Sequence, residues 1–196
     1  MVRQMSRRSK KVFAEGIQFD SETEYDFYLK LKQAKKKKQI KDFKVNPTFT
    51  LVESFETDFP NQHKNSKEEA IEYIVDYGIW SNLGDYYLVD TKGSGYSSVE
   101  IEARNKRKLL LSQNPHIPIY FISKLPLYLG GEFVCVNPKN DFYTKIKGKY
   151  TKLNPKKKKG GKTKKVQWGI SDWEKYFEFE LIDGLFYVWK KTLKAK

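Results

Sequence analysis

Two β-rich runs, each with one acid set among apolar residues and separated by a turn-like connection, constrain this chain more than any other feature. They are Tyr73-Ile74-Val75-Asp76-Tyr77 and Tyr87-Leu88-Val89-Asp90-Thr91-Lys92-Gly93. The flanking residues extend them to 71–80 and 86–92, and the linking Ser-Asn-Leu-Gly-Asp predicts a hairpin. Side chains two apart on a strand share a face, so Asp90 and Lys92 point one way and Thr91 the other. If Trp80 pairs with Tyr86, Asp76 falls directly opposite Asp90, with Cβ atoms about 4.5–5.5 Å apart. Two carboxylates that close repel, and apolar strands solvate them poorly. A divalent cation relieves both problems. Mg²⁺ suits the pair, because it is usually held by one or two carboxylates together with waters and phosphate oxygens. Lys92 would then orient or activate an attacking water, or stabilise charge developing on a phosphate. The plainer reading is a surface hairpin whose polar face carries all three residues, and a bulge would change the register.

The surrounding pattern predicts an α/β fold. Val12–Phe19 reads as a short strand turning at Glu15-Gly16. Ser21-Glu22-Thr23-Glu24 fits a capping box that opens a helix over 21–36. Phe43–Val52 alternates around Pro47 and suits a strand, and 54–66 reads as a loop. A helix follows over 99–111, with Val99, Ala103, Leu109 and Leu110 on one side and Arg104, Arg107 and Lys108 outside. Asn114-Pro115 stops it. Residues 117–122 suit a buried strand, and another covers 132–136. Residues 139–166 are lysine-rich and read as a mobile basic loop or linker. After it, Ser171 is placed to cap a short helix, and Asp183-Gly184 is a strong hairpin signal between 177–182 and 185–190. The resulting division is a flexible basic arm at 1–10, a core at 11–138, the basic linker at 139–166, and a C-terminal extension at 167–196.

Charge narrows the function classes. The chain of 196 residues carries 38 Lys and Arg against 24 Asp and Glu, a net +14. A field of that sign attracts polyanions such as DNA. Membrane-surface binding is the rival for a basic chain, but no amphipathic anchor is evident. The aromatic content of 15% argues against wholesale disorder. The single cysteine, Cys135, excludes an intramolecular disulfide, and no Cys/His spacing suggests zinc. Without a signal-like leader or a long apolar run, a cytoplasmic protein is expected.

With these residues in view, the pattern Val-Asp76, hairpin, Asp90-Thr91-Lys92 resembles the PD-(D/E)xK nuclease superfamily. Its core is a mixed central sheet flanked by helices, in the order helix, three strands, helix, strand, which is the order read above. Gly16-Ile17-Gln18-Phe19-Asp20-Ser21-Glu22-Thr23-Glu24 and Ile40-Lys41-Asp42-Phe43 are similar to a phage-encoded branch. The resemblance covers roughly residues 10–125, with Val75 standing where many members have proline. It implies a restriction-endonuclease-like core with a C-terminal β-rich extension, and Asp76 and Asp90 as metal ligands joined by the Thr91 carbonyl. It also implies Lys92 as catalytic lysine and Glu24 as a further acid at the site, although the capping box accounts for Glu24 locally. The cofactor implied is Mg²⁺, with Mn²⁺ as a substitute. Small phage members often process branched DNA such as the Holliday junction, and symmetric cleavage of a junction needs a homodimer. A restriction-like or transposase-type end-cutting nuclease, its C-terminal third contacting a protein partner, is a second enzyme reading. A non-catalytic nucleic-acid-binding module on a nuclease fold is a third.

Phosphate contacts are expected from Lys35, Lys36, Lys37 and Lys38, from Arg104, Lys106 and Arg107, and from Lys156, Lys157, Lys158 and Lys159. A solvated surface explains the same lysines. Glu100 and Glu102 read as a solvated helix start. His63 and His116 are isolated, and the tryptophans and paired tyrosines read as core rather than base-stacking platforms.

Overall fold

The computed structural model describes residues 10–58, 67–154 and 166–190. β1 (Val12–Ala14) and β2 (Ile17–Phe19) form a hairpin closed by Glu15 and Gly16, with φ of 54° and 77°. Paired positive φ values belong to the tight turn whose twist matches that of its strands. α1 (Glu22–Lys36) starts at Ser21, whose Oγ accepts from the Glu24 amide. It buries Phe27, Tyr28, Leu31 and Ala34.

The predicted strand at 43–52 is two strands, β3 (Ile40–Val45) and β4 (Thr48–Val52). Pro47 has no amide to donate, and Asn46 before it takes φ 52°. The loop expected at 54–66 contains β5 (Phe55–Glu56), paired with β6 (Lys67–Glu68); residues 59–66, His63 among them, lie outside the described residues. The run at 71–80 also divides, into β7 (Ile71–Ile74) and β8 (Tyr77–Ser81). β3 pairs with β8 and β4 with β7, and Val45↔Tyr77 and Thr48↔Ile74 keep one register across the gap. A long antiparallel ribbon therefore leaves the main sheet as an arm, and Asp76 sits at its base.

β9 (Tyr86–Thr91) pairs antiparallel with β8. α2 (Ile101–Gln113) then crosses to β10 (Ile119–Lys124), which runs parallel to β9. β11 (Phe133–Asn137) follows, with the short β12 (Asn140–Asp141) beside it. The basic linker predicted at 139–166 is, over its first half, the helix α3 (Phe142–Leu153). Its lysines mask a helical stripe, Phe142, Tyr143, Ile146 and Tyr150, all buried. Residues 155–165 lie outside the described residues. The short α4 (Ile170–Glu174) is preceded by Gly169, whose amide donates to Asp172, so Asp172 rather than Ser171 satisfies the helix start. The Asp183-Gly184 hairpin joins β13 (Phe179–Ile182) to β14 (Phe186–Trp189).

The main sheet runs β13-β14-β11-β10-β9-β8-β3 and is mixed, β10 lying parallel to β9 and β14 parallel to β11. Alternation assigns its two faces. Ile79, Val89, Ile122, Phe133 and Phe186 pack under α1. On the other face, Phe121, Val134, Val136 and Tyr187 pack with α3 and Trp173 of α4. Leu88 and Ile119 pack with Leu110 of α2 and with Leu51 and Tyr73 of the arm. α2 departs from expectation: Leu109 is exposed, whereas Arg104 and Arg107 are half-buried. Their guanidinium groups lie over the rings of Tyr96 (4.5 Å) and Phe121 (5.8 Å), so aromatic faces take these residues where aliphatic contact was expected.

Candidate functional site at the end of the central strands

Trp80 pairs with Tyr86, as the hairpin reading requires, and the ladder ends at Tyr77↔Val89. Asp76 lies one residue beyond it. Its backbone turns to the arm, its carbonyl accepting from the Asn46 amide while the Val75 amide donates to the Pro47 carbonyl. Its side chain reaches the end of β9, where Asp76 Oδ2 accepts from both the amide and the hydroxyl of Thr91, each at 2.7 Å. Thr91 was expected on the far face. It keeps that face, because the ladder to β10 continues through Ile122↔Thr91, and Asp76, which lies outside the β8–β9 ladder, reaches across to it.

Asp90 is buried, at 3% exposure. Its Oδ1 pairs with Lys92 Nζ, and its Oδ2 accepts from the Tyr73 hydroxyl, both at 2.5 Å. Burial, followed by the Asp90 charge, pushes the Tyr73 phenol far above its usual range, so it stays a donor. The Lys92 ammonium sits 5.4 Å from the centre of the Phe121 ring. Burial pulls its pKa down, but Asp90 and then Asp76 outweigh that and leave it raised, so Lys92 remains a cation. The backbone following it is pinned by Ser123, whose buried hydroxyl contacts the carbonyls of Lys92 and Ser94.

Glu24 arrives from α1 on the other face of the sheet. The Tyr77 hydroxyl donates to its backbone carbonyl, which ties the first helical turn to β8 beside Asp76. Its carboxylate is also a cap, with Oε2 accepting from the Asp20 amide and Oε1 from Ser21 Oγ. Burial raises the Glu24 pKa, with the Asp90 charge adding to it. Asp76 is held well above the ordinary carboxylate range, first by burial, then by the charges of Asp90 and Glu24. The three acids therefore share one electrostatic neighbourhood. Glu24 and Asp20 line two clefts: one of about 490 Å³ with Thr91, Lys92, Gly93 and Glu100, the other of about 730 Å³ reaching Asp76, Asn46 and Ile74. Glu100 thus faces the site, whereas Glu102 pairs with Lys106.

The donor set matches a hard divalent cation in kind and in charge, since carboxylate oxygens are its preferred ligands. The carboxylates are not drawn into a cage: among the described residues no three His, Cys, Asp or Glu side chains are grouped closely enough to hold a metal. A cation here would share the Asp90 oxygens with Lys92 and Tyr73, since each oxygen carries a second lone pair.

Of the other expected contacts, Arg107 comes close, sharing the Phe121 ring with Lys92 and acting through its charge on Tyr73. Lys35 pairs with Asp42, and Lys36, Lys37 and Lys38 are exposed at the far end of α1, about 18 Å along the axis from Glu24 at 1.5 Å per residue. Arg104 donates to the carbonyls of Tyr96 and Ser97, so it braces the loop after Lys92. Lys156, Lys157, Lys158 and Lys159 lie outside the described residues. His116 lines a separate cleft with Tyr87 and Asp183 at the other end of β9. Tyr73 and Ser123 were missed, because both read as ordinary strand positions. The available clue was the phenol: a buried tyrosine needs a partner for its hydroxyl, and the acids nearby were candidates.

The class these features define is a mixed α/β chain with acids and a lysine gathered where its central strands end. A family described as a protein of unknown function (DUF1064) matches residues 5–130, and the chain belongs to that family. No curated protein and no solved structure matches it. No helix among the described residues is long and apolar enough to cross a membrane.

Proposed function

We propose that this chain is a Mg²⁺-dependent endonuclease hydrolysing DNA phosphodiesters, with Mn²⁺ able to substitute. Its expected substrate is branched DNA such as the four-way junction, its expected form a homodimer, and its setting the cytoplasm, that of a host if phage-encoded. The observation that carries the reading is that burial and then the Asp90 charge raise the pKa of both Asp76 and Glu24 at the strand end where the half-buried Lys92 pairs with Asp90. Structural ion pairs seldom gather three acids around one cation, because the surplus negative charge is costly to bury. Asp76, Asp90, the Thr91 carbonyl and Glu24 would hold the cation. When bound, such an ion lowers the pKa of water and stabilises charge on phosphate oxygens. The protein's own groups do the positioning. Thr91 holds Asp76, Tyr73 holds Asp90, and Lys92, kept cationic, places a positive charge toward the cleft and does not act as a base.

The engagement of both Asp90 oxygens within the protein, with no group of three acids close enough to hold a metal among the described residues, favours a second reading, a DNA-binding module without catalysis. One experiment separates the two. The protein is incubated with supercoiled plasmid, a labelled four-way junction and linear duplex, in Mg²⁺ and in EDTA. The nuclease reading expects cutting in Mg²⁺ alone, fastest on the junction, and a loss of at least a hundredfold in Asp90→Asn. Binding without cutting in Mg²⁺ or Mn²⁺ selects the module.

A further inference from the structure

α3 carries a surface that the acids and Lys92 do not use. Its 12 residues contain Lys145, Lys147, Lys149 and Lys152 and no acid. Elsewhere many lysines are neutralised: Lys30 by Glu132, Lys32 by Glu15, Lys35 by Asp42, Lys106 by Glu102 and Lys124 by Asp26. The four on α3 form no ion pair among the described residues. Three lie instead near aromatic rings, Lys145 at Trp189 (4.8 Å), Lys147 at Tyr143 (5.9 Å) and Lys149 at Tyr176 (4.3 Å). A ring can steady a lysine stem while leaving its full charge available.

The centre of the exposed face is Gly148. Glycine inside a helix costs up to about 1 kcal/mol relative to alanine, and here no packing explains it, since a Cβ added at Gly148 meets nothing within 4 Å. Its missing side chain opens a shallow depression lined by Thr144, Lys147, Gly148, Thr151 and Lys152. The helix is also joined to the acidic site. Asp141, which caps α3, accepts from the Tyr96 amide in the loop after Lys92, and Gly95 of that loop lies against Thr144 and Asp141.

The geometry points to α3 as a seat for the backbone of duplex DNA, the sugars lying on the largely apolar floor at Gly148 and the phosphates taken by Lys147 and Lys152 on either side. Unpaired lysines are what a polyanion needs, because each phosphate they neutralise releases condensed counterions. This surface shares with the nuclease reading only its polyanionic ligand and requires no catalysis.

The test is fluorescence anisotropy of the full chain in EDTA, with a labelled 30-base-pair DNA duplex, across a series of NaCl concentrations. Lys147→Gln/Lys152→Gln should bind at least tenfold more weakly at 0.1 M NaCl. The slope of log K against log[salt] should fall in magnitude by about 1.8, at about 0.9 per phosphate on duplex DNA. Gly148→Gln should also weaken binding while raising thermal stability, so misfolding cannot explain its loss. Lys30→Gln/Lys32→Gln removes equal charge from ion-paired positions of α1 and should shift affinity less than threefold. The proposal is overturned if the α3 pair keeps wild-type affinity and slope, or if the α1 pair loses as much. It is also overturned if duplex RNA binds more tightly through the same lysines. Binding is read without metal, so an inactive nuclease that passes this test leaves the surface standing, and an active one that fails it leaves the nuclease standing.

Discussion

Replacing Tyr73 by phenylalanine isolates one hydrogen bond at the centre of the site. Tyr73 is 4% exposed and Asp90 3%. The ring packs in the cluster of Leu51, Val75, Leu88, Leu110 and Ile119, and phenylalanine keeps that packing. What disappears is the hydroxyl that donates to Asp90 Oδ2. Lys92 occupies the other oxygen, so Oδ2 would be buried with no donor. A hydrogen bond to a charged group contributes about 1.5–3 kcal/mol, and stranding the buried acceptor exposes that full amount. For a chain of this size, 1 kcal/mol corresponds to roughly 2–4 °C in Tm, so Tyr73→Phe should melt about 3–12 °C below wild type in EDTA. Scanning calorimetry measures this directly. Under the proposed function the gap should narrow in 10 mM Mg²⁺, because a cation can take the oxygen that Tyr73 released. A Tm in EDTA within 1 °C of wild type would refute the account of Asp90 as a carboxylate held from both sides. A gap that Mg²⁺ leaves unchanged would count against cation binding at that oxygen.

Asp76 has a folded-state pKa above its unfolded one, so its contribution to stability is present below the unfolded pKa and lost as pH rises through the folded pKa. Asp76→Asn keeps an oxygen for the two Thr91 donors while removing the buried charge. In EDTA it should be at least as stable as wild type at pH 8, with a flatter fall in stability as pH rises above the ordinary carboxylate range, measured by urea denaturation; a less stable variant at pH 8 contradicts the electrostatic account. Burial pushes the Cys135 thiol up to about 11. A disulfide reagent at pH 8 should therefore titrate no thiol in the native chain and one per chain in 6 M guanidinium, and a rapid native reaction would show that the strand core is open.

Much of the fold was legible because its elements carry local signals. The Ser21 cap, the Glu15-Gly16 and Asp183-Gly184 turns, and the order helix, strands, helix, strand are written within a few residues each, as is the Trp80↔Tyr86 pairing. The misreadings share a cause. β3 and β4, like β7 and β8, look continuous because hydrophobic alternation continues through Asn46-Pro47 and Val75-Asp76. Which partner each half pairs with is a tertiary matter. α3 was hidden by its lysines, whose charge outweighed a four-residue apolar stripe in a composition-based reading. At the site, Asp76, Asp90, Lys92 and Glu24 could be named; Lys92 pairs with Asp90, and Asp76 and Glu24 feel the Asp90 charge without closing into a metal cage among the described residues. The Thr91 clasp on Asp76 and the Tyr73 bond to Asp90 depend on where strands end and how they twist, which spacing does not encode.

The C-terminal hairpin bears on how this protein can be divided. The family match stops at residue 130, yet β11 begins at Phe133 and has β14 along its outer side. Cutting where the family ends would take β11 with it and leave β10 as the border of the sheet. Cutting just after β11 would bare that strand's outer edge and strip Trp173, Phe186 and Tyr187 from the cores they fill. An uncovered run of strand amides is a template for pairing with another chain. The stretch that the family model matches and the stretch that completes the sheet are therefore different lengths of the same polypeptide, and the second includes the hairpin.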